Sequence, residues 1–178
     1  MPMGDAPAGI TDHPGDHDHA NSFSTADIFD AAPDRVTMID APLLHFGGRR
    51  RFRGACATLV AHGDAQAIGD AVRLAGEGRV LVIDGRDLPD LACLGEIMVQ
   101  RMVDAGWAGA IVFGALRDSH AIAQLPIGVM ALRTTAKRPF VEGVGVAGTT
   151  IDVAGLSIAP GMTIVADEDA VLVLTPDG

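Results

Sequence analysis

No apolar run in the chain reaches the roughly 18 residues that a membrane-spanning helix needs. The N-terminus also lacks a basic segment followed by an apolar one, so no secretory signal is expected and the default compartment is the cytoplasm. Positive charge is scarce: 13 Lys and Arg stand against 23 Asp and Glu, a net charge of -10. That balance argues against nucleic acid as a direct partner, because phosphate binding needs a basic face. The one basic cluster, Arg49, Arg50, Arg51 and Arg53, reads as a solvated hairpin or a subunit contact, with an anion site as the alternative. There are only two cysteines, Cys56 and Cys93, and they form no C-x-x-C unit. They read as reduced, buried thiols, since the sequence places no partnered histidine beside either. No internal repeat is visible. Gly85-Arg86-Asp87 follows an apolar run but is not G-x-G-x-x-G, so a methyltransferase or other Rossmann enzyme finds little support.

What remains is a chain of 178 residues, 48% hydrophobic and with 22 glycines, which suits one compact α/β domain. Residues 1–22 are rich in Pro, Gly, Asp and His and have no hydrophobic period. They read as a disordered tail, and 23–178 as a single domain. His13, His17 and His19 alternate with Asp16 and Asp18 in that tail. Adventitious metal binding there is the alternative to a solvated segment.

The predicted elements follow from local signals. Ser24 or Thr25 caps a short helix through Ala31, stopped by Pro33-Asp34. Strands are expected over 36–39 and 54–61, with a turn at Phe46-Gly47-Gly48. Gly63-Asp64 opens a helix whose apolar face is Ala67, Ile68, Ala71, Val72 and Ala75. Val80-Leu81-Val82-Ile83 is a continuous apolar run, the pattern of a strand buried on both faces of a parallel sheet. A second helix spans 95–105, with Ile97, Met98, Arg101, Met102 and Ala105 at helical spacing. Its methionines read as core filling. Gly106 ends it, and Trp107 anchors the connection to a strand at 110–113. Two helix-then-strand units imply parallel pairing with right-handed crossovers. A helical turn at 120–124, a strand at 127–132 and an irregular basic loop at 134–139 follow. Five short β segments then fill 144–174, in a mixed or antiparallel arrangement. The fold class is therefore α/β with an α+β flavour.

The stretch from Leu94 to Ala121 carries the chemistry. A helix starting at Gly95-Glu96 offers free N–H groups and a partial positive charge to an anion. The exit from the next strand offers Arg117 for a carboxylate and Asp118 for a divalent cation. Each has a plainer reading. Asp118 can be only the N-cap of the following short helix, and Arg117 only a surface charge. Glu96 can be a first-turn acid favoured by the helix dipole, or can hold metal-bound water. In the functional reading, Arg117 and the amides of Ile97 and Met98 cradle the carboxylate of a 2-oxo acid. Gly95 then lets backbone approach the ligand.

Gly95-Glu96, twenty residues, and Arg117-Asp118 resemble the signature of the RraA-like family. So do Phe46-Gly47-Gly48-Arg49 with Phe52-Arg53-Gly54, Val80 to Gly85, and Pro160-Gly161 followed by Val165-Ala166-Asp167. The family includes 4-hydroxy-4-methyl-2-oxoglutarate (HMG) aldolases and regulators that inhibit a ribonuclease of the RNase E type. The resemblance implies a swivelling β/β/α domain assembled as a trimer or hexamer, with pockets between subunits. It implies Mg²⁺ or Mn²⁺ at Asp118, and the pyruvyl group held by Arg117 and by Gly95, Glu96, Ile97 and Met98. The implied reaction is cleavage of HMG or a related 2-oxo acid to pyruvate, with oxaloacetate decarboxylation beside it. The metal would polarise the carbonyl and Arg117 would stabilise charge developing on the oxo group. The one lysine, Lys137, lies in a loop not placed at the site, which speaks against a Schiff-base aldolase. One departure bears on proton transfer: aldolase members usually carry an acid three positions beyond the metal aspartate, and here Ala121 stands there. The alternative is a non-catalytic trimer that binds a ribonuclease, and the retained Asp118 discriminates against it.

Overall fold

The structure, a computed structural model, describes residues 23–138 and 144–175. The expected tail at 1–22 and Pro139 of the basic loop lie outside the described residues.

In chain order the elements are α1 (Thr25–Ala31), a 3-10 turn (Pro33–Arg35), β1 (Val36–Met38), β2 (Leu44–His45), β3 (Phe52–Val60), α2 (Ala65–Arg73), β4 (Val80–Asp84) and β5 (Ala92–Leu94). They continue with α3 (Glu96–Asp104), β6 (Gly109–Leu116), α4 (Ser119–Ile122), β7 (Gly128–Thr134), β8 (Val146–Ala147), β9 (Ile151–Val153), β10 (Leu156–Ile158), β11 (Thr163–Ala166) and β12 (Val171–Leu174). No described helix is long and apolar enough to cross a membrane.

One ten-stranded sheet runs in the order β1-β12-β11-β3-β4-β6-β7-β2, with β5 also paired to β6 and β8 to β3. The centre, β3-β4-β6-β7, is parallel. The flanks are antiparallel, and β9 and β10 form a separate hairpin. This is the mixed arrangement expected of the C-terminal half, grafted onto the parallel core.

Strand β4 explains why the core has two sides. Leu81 and Ile83 face α2 and α3, where they join Ile68, Val72, Val99 and Met102. Val80 and Val82 face the other way, toward Ile151, Val153 and Ile158 of the β9–β10 hairpin. Successive residues of a strand point to opposite faces, so a run with no polar residue needs cover on both. The result is a three-layer swivelling α/β fold: helices, sheet and hairpin.

Asp64 caps α2 as expected, accepting from the Gln66 and Ala67 amides. Trp107 is buried, and its indole N–H donates to the Leu74 carbonyl at 3.0 Å, tying the end of α2 to the start of β6. Both cysteines are free and buried, and burial pushes each thiol up to about 12. Two of the four clustered arginines fasten the N-terminal segment to the domain. Arg51 pairs with Glu168 at 3.0 Å and donates to the Phe23 carbonyl, while Arg53 lies 5.6 Å over the Phe23 ring.

Several expectations needed adjustment. Helix α2 ends at Arg73, so Ala75, expected on its apolar face, lies beyond it and is exposed. Strand β2, Leu44–His45, had no counterpart in the prediction. The strand predicted at 110–113 is eight residues long and ends at Leu116. Thr134 belongs to β7 rather than to the loop after it. The three-residue β5, just before α3, had no counterpart in the prediction.

Candidate functional site

Strand β5 assembles the site. It lies parallel to the end of β6, with Ala92 opposite Ala115 and Leu94 opposite Leu116. The Arg117 N–H then donates to the Leu94 carbonyl at 2.9 Å. Because α3 begins at once after Gly95, its N-terminus opens beside Arg117 and Asp118. Residues more than twenty apart in sequence thus meet at the carboxyl end of a parallel sheet, where clefts in such sheets form.

The meeting is direct. Asp118 Oδ2 accepts the Glu96 N–H at 3.3 Å and the Arg117 Nε–H at 3.2 Å. Asp118 itself has φ 59 and ψ 34, a left-handed conformation that Asp tolerates better than most residues. It occupies the N-cap position of α4 but makes no side-chain cap there. The plain reading of Asp118 therefore needs correction: the carboxylate closes α3, not α4.

Gly95 is extended, with φ -134, so it is not required for its backbone conformation. A Cβ there would lie 2.8 Å from Asp118 Oδ2 and 3.2 Å from Arg117 Nε. The close approach that needs glycine is that of these two side chains.

The amide cradle is narrower than expected. The Met98 N–H donates to the Gly95 carbonyl at 3.0 Å, so it is spent inside the first turn. The Glu96 N–H is taken by Asp118. Among the described residues the Ile97 N–H has no acceptor, and it is the first-turn donor left for a ligand.

Around these groups lies a cavity of about 270 Å³, bordered by Gly95, Ile97, Met98, Arg117 and Asp118. Glu96 is exposed and does not line it; its part in the site is the amide. The Arg117 and Asp118 side chains are 33% and 41% exposed, so both can meet a ligand from solvent. Cys93 forms part of the floor. Its raised pKa, from burial first and from Asp87 and Asp84 second, keeps it a neutral thiol.

Two charged lining residues escaped the sequence reading: Arg101 and Arg138. By its spacing Arg101 falls within the apolar period of α3. Arg138 belongs to the basic loop expected away from the site. That loop is pinned to it: the Ala92 N–H donates to the Lys137 carbonyl at 3.0 Å, and the Thr135 N–H to the Leu116 carbonyl at 2.9 Å. Lys137 does not line the cavity, and its ammonium lies 3.8 Å from Asp90. No sequence spacing announces these contacts.

Metal-holding capacity rests on one side chain. Among the described residues no group of three or more His, Cys, Asp and Glu side chains is placed to hold an ion. Asp118 Oδ1, however, has no partner among them. A single carboxylate with an open oxygen fits an ion such as Mg²⁺, which keeps several waters and takes its other ligands from the substrate.

Known proteins share this architecture. The sequence matches the family model described as RraA-like, Aldolase/RraA, over residues 25–173. A protein of Ectopseudomonas mendocina, provisionally named 4-hydroxy-4-methyl-2-oxoglutarate aldolase, is 34% identical over 151 residues, covering 85% of this chain and 93% of the relative. The solved structure of S-adenosylmethionine:2-dimethylmenaquinone methyltransferase from Geobacillus kaustophilus superimposes with a TM-score of 0.84 at 34% identity, over 87% of this chain and 96% of that one. The RNA-processing inhibitor RraA from Thermus thermophilis gives 0.82 at 34% identity, over 88% and 96%. With the family model covering most of the sequence, and relatives of this identity matched nearly end to end, the chain belongs to the RraA-like family.

Proposed function

We propose that this protein is a divalent-metal-dependent carbon–carbon lyase that cleaves HMG or a related 2-oxo acid to pyruvate and decarboxylates oxaloacetate. The observation that carries the reading is the shared cavity wall of Arg117, Asp118 and the free Ile97 amide. Those groups are an anion fork, a cation ligand and a spare donor within one small volume. The names borne by relatives such as the Ectopseudomonas protein point the same way.

In this reading Asp118, whose Oδ1 has no partner among the described residues, would hold Mg²⁺ or Mn²⁺. The ion, when bound, polarises the 2-oxo group. Arg117 binds the adjoining carboxylate and stabilises charge that develops on the oxo oxygen as the carbon–carbon bond breaks. To do so its guanidinium turns from Asp118, an exchange that a partly exposed pair allows. The Ile97 N–H, at the positive end of α3, supports the same carboxylate. Gly95 keeps the passage between them open. Ala121 offers no proton-transfer group, so protonation of the product carbanion falls to solvent.

The working form is a cytoplasmic homotrimer. Exposed Ile97 beside the cavity and exposed Val144 and Val146 supply apolar surface of the kind a subunit contact covers.

A second reading, a regulator that binds a ribonuclease, is favoured by one finding: the likeness to the Thermus RNA-processing inhibitor is nearly as close as that to the Geobacillus enzyme, at the same identity. One experiment separates the two. Pyruvate release from oxaloacetate and from HMG is followed with Mg²⁺ or Mn²⁺ and with EDTA, for wild type and Asp118→Ala. Metal-dependent turnover that disappears in Asp118→Ala is the expected result. Turnover no faster than the metal alone on both substrates would overturn the lyase and leave the binding protein.

A further inference from the structure

A second cavity, of about 440 Å³, opens toward the carboxyl ends of β6 and β7, beside the loop that joins β1 to β2. Phe113 and Leu132 line it, and they pack with the core beneath the β9–β10 hairpin. Cys93, Leu94 and Met98 of the first cavity pack instead with the core beneath the helices. The two spaces thus lie on opposite faces of the sheet and share no lining residue. Three charged side chains stand around the second one: Asp40, Arg86 and Arg133. Arg86 is fixed in place. Its Nε–H and an Nη2–H donate to the two oxygens of Asp84 at 2.9 and 2.8 Å, and Nη2 also donates to the Asp152 carbonyl at 2.6 Å. The two N–H groups on its Nη1 have no acceptor among the described residues. Nor, among these residues, does the Arg133 guanidinium or the Asp40 carboxylate have a hydrogen-bond or ion-pair partner.

Asp84 balances the charge of Arg86, so the open charges around this cavity are one positive, Arg133, and one negative, Asp40. They border one space and do not pair with each other. A simple carboxylate entering it would gain from Arg133 and lose to Asp40, and a simple amine would do the reverse. A small zwitterion satisfies both. The locked Arg86 adds two directed donors, and a guanidinium already held by other bonds loses little rotamer freedom on binding. The rest of the wall is apolar, with Phe113, Leu132 and Pro42, and the volume falls within the range of small-molecule pockets.

We propose that this second cavity binds a free α-amino acid with an aliphatic side chain. Arg133 and Nη1 of Arg86 hold the carboxylate, Asp40 holds the ammonium group, and Phe113, Leu132 and Pro42 cover the side chain. The proposal does not depend on the lyase reading. The first cavity is read as a site for 2-oxo acids, which have no ammonium group and leave Asp40 of the second without a partner.

The test titrates the full chain by calorimetry with L-leucine, glycine, 4-methylpentanoate and 3-methylbutylamine. The last three are leucine without its side chain, its ammonium group and its carboxylate in turn. Wild type should bind L-leucine at least about tenfold more tightly than each of them, a factor worth about 1.4 kcal/mol. Asp40→Asn and Arg133→Met replace side chains that hold nothing else among the described residues, so both should melt as wild type does. Each should lose most of the affinity for L-leucine. Asp40→Asn should bind 4-methylpentanoate at least as well as wild type, because the repelling charge is gone; a merely structural role for Asp40 would not produce that reversal. Asp118→Ala, at the other cavity, should bind L-leucine as wild type does. A wild type that does not bind L-leucine, or binds 4-methylpentanoate as tightly, would overturn the proposal. So would charge variants that keep the wild-type affinity, or an Asp118→Ala protein that loses it.

Discussion

The Asp118 carboxylate closes the N-terminus of a helix that lies 22 residues earlier in the chain: its Oδ2 accepts the Glu96 N–H at 3.3 Å. The side chain proposed to hold a cation is thus also a cap for α3. Its own helix, α4, receives no side-chain bond from it. Two roles on one residue mean that removing it confounds them, but they can be separated chemically. Asparagine keeps an acceptor oxygen and tolerates the left-handed backbone of position 118, whereas alanine keeps neither advantage. Asp118→Ala is expected to lose about 1–2 kcal/mol in urea unfolding, and Asp118→Asn about half of that or less. Both should lose metal-dependent turnover. No stability loss in either variant would show that the cap contributes nothing.

Gly95→Ala tests the close approach at the same point. The added Cβ would stand 2.8 Å from Asp118 Oδ2 and 3.2 Å from Arg117 Nε, so the side chains at the site must move. Their outer ends are partly exposed and have room to shift, which keeps the stability cost to about 1 kcal/mol. The expected signature is a misplaced site in a folded protein: weaker Mn²⁺ binding, read by the paramagnetic signal of the ion, and lower turnover, with an unfolding midpoint close to wild type. Unchanged Mn²⁺ affinity would show that the position of the carboxylate is not critical.

A second glycine requirement lies in the core, on the hairpin side of the sheet. Gly109 and Gly128 stand opposite each other in β6 and β7, and the Phe52 ring fills the space that their missing side chains leave. Phe52 is 1% exposed and cannot swing into solvent. Gly128→Ala is therefore an overpacking change, expected to cost about 1–3 kcal/mol in chemical denaturation. Adding Phe52→Leu to Gly128→Ala should recover part of the loss, since the two positions share one space. Strict additivity of the two single changes would contradict the contact.

The parts of the site that were legible in the sequence are those made by one element at a time. Helical spacing after Gly95, a buried apolar strand and an Arg-Asp pair at its exit placed α3, β6, Arg117 and Asp118 without a structure. What was hidden depends on contacts across elements. Strand β5 is three residues long, below the length at which alternation can be read, yet its pairing with β6 brings Gly95 to Arg117. Arg138 reaches the cavity through contacts such as the bond from the Ala92 amide to Lys137, a link 45 residues long. The direction of the Asp118 side chain is also hidden, because an aspartate before a short helix looks like its cap. A left-handed backbone turns it toward another helix instead. Met102 is core filling as expected, fully buried between sheet and helices, while Met98, one turn earlier, faces the cavity.

Acid stability should report on Asp64, which caps α2 and also holds the segment after residue 143. Its Oδ1 accepts from the Gln66 and Ala67 amides, and its Oδ2 from those of Val144 and Gly145 at 3.0 and 3.1 Å. Four N–H donors on one buried carboxylate favour its charged form, and they hold its pKa down to about 2, against an ordinary 3.8. A folded-state pKa below the unfolded one stabilises the protein at pH values above the unfolded pKa. The gain is then lost as the pH falls from about 4 to about 2. Asp64→Asn removes the charge and turns an amide donor toward N–H groups that need an acceptor. In urea unfolding the variant should be clearly less stable than wild type at pH 7 and pH 5. The gap should narrow at pH 3, where wild type itself is losing the contribution. A gap that stays constant from pH 7 to pH 3 would show that the charge on Asp64 is not what secures the loop, and that its hydrogen-bonding shape alone suffices.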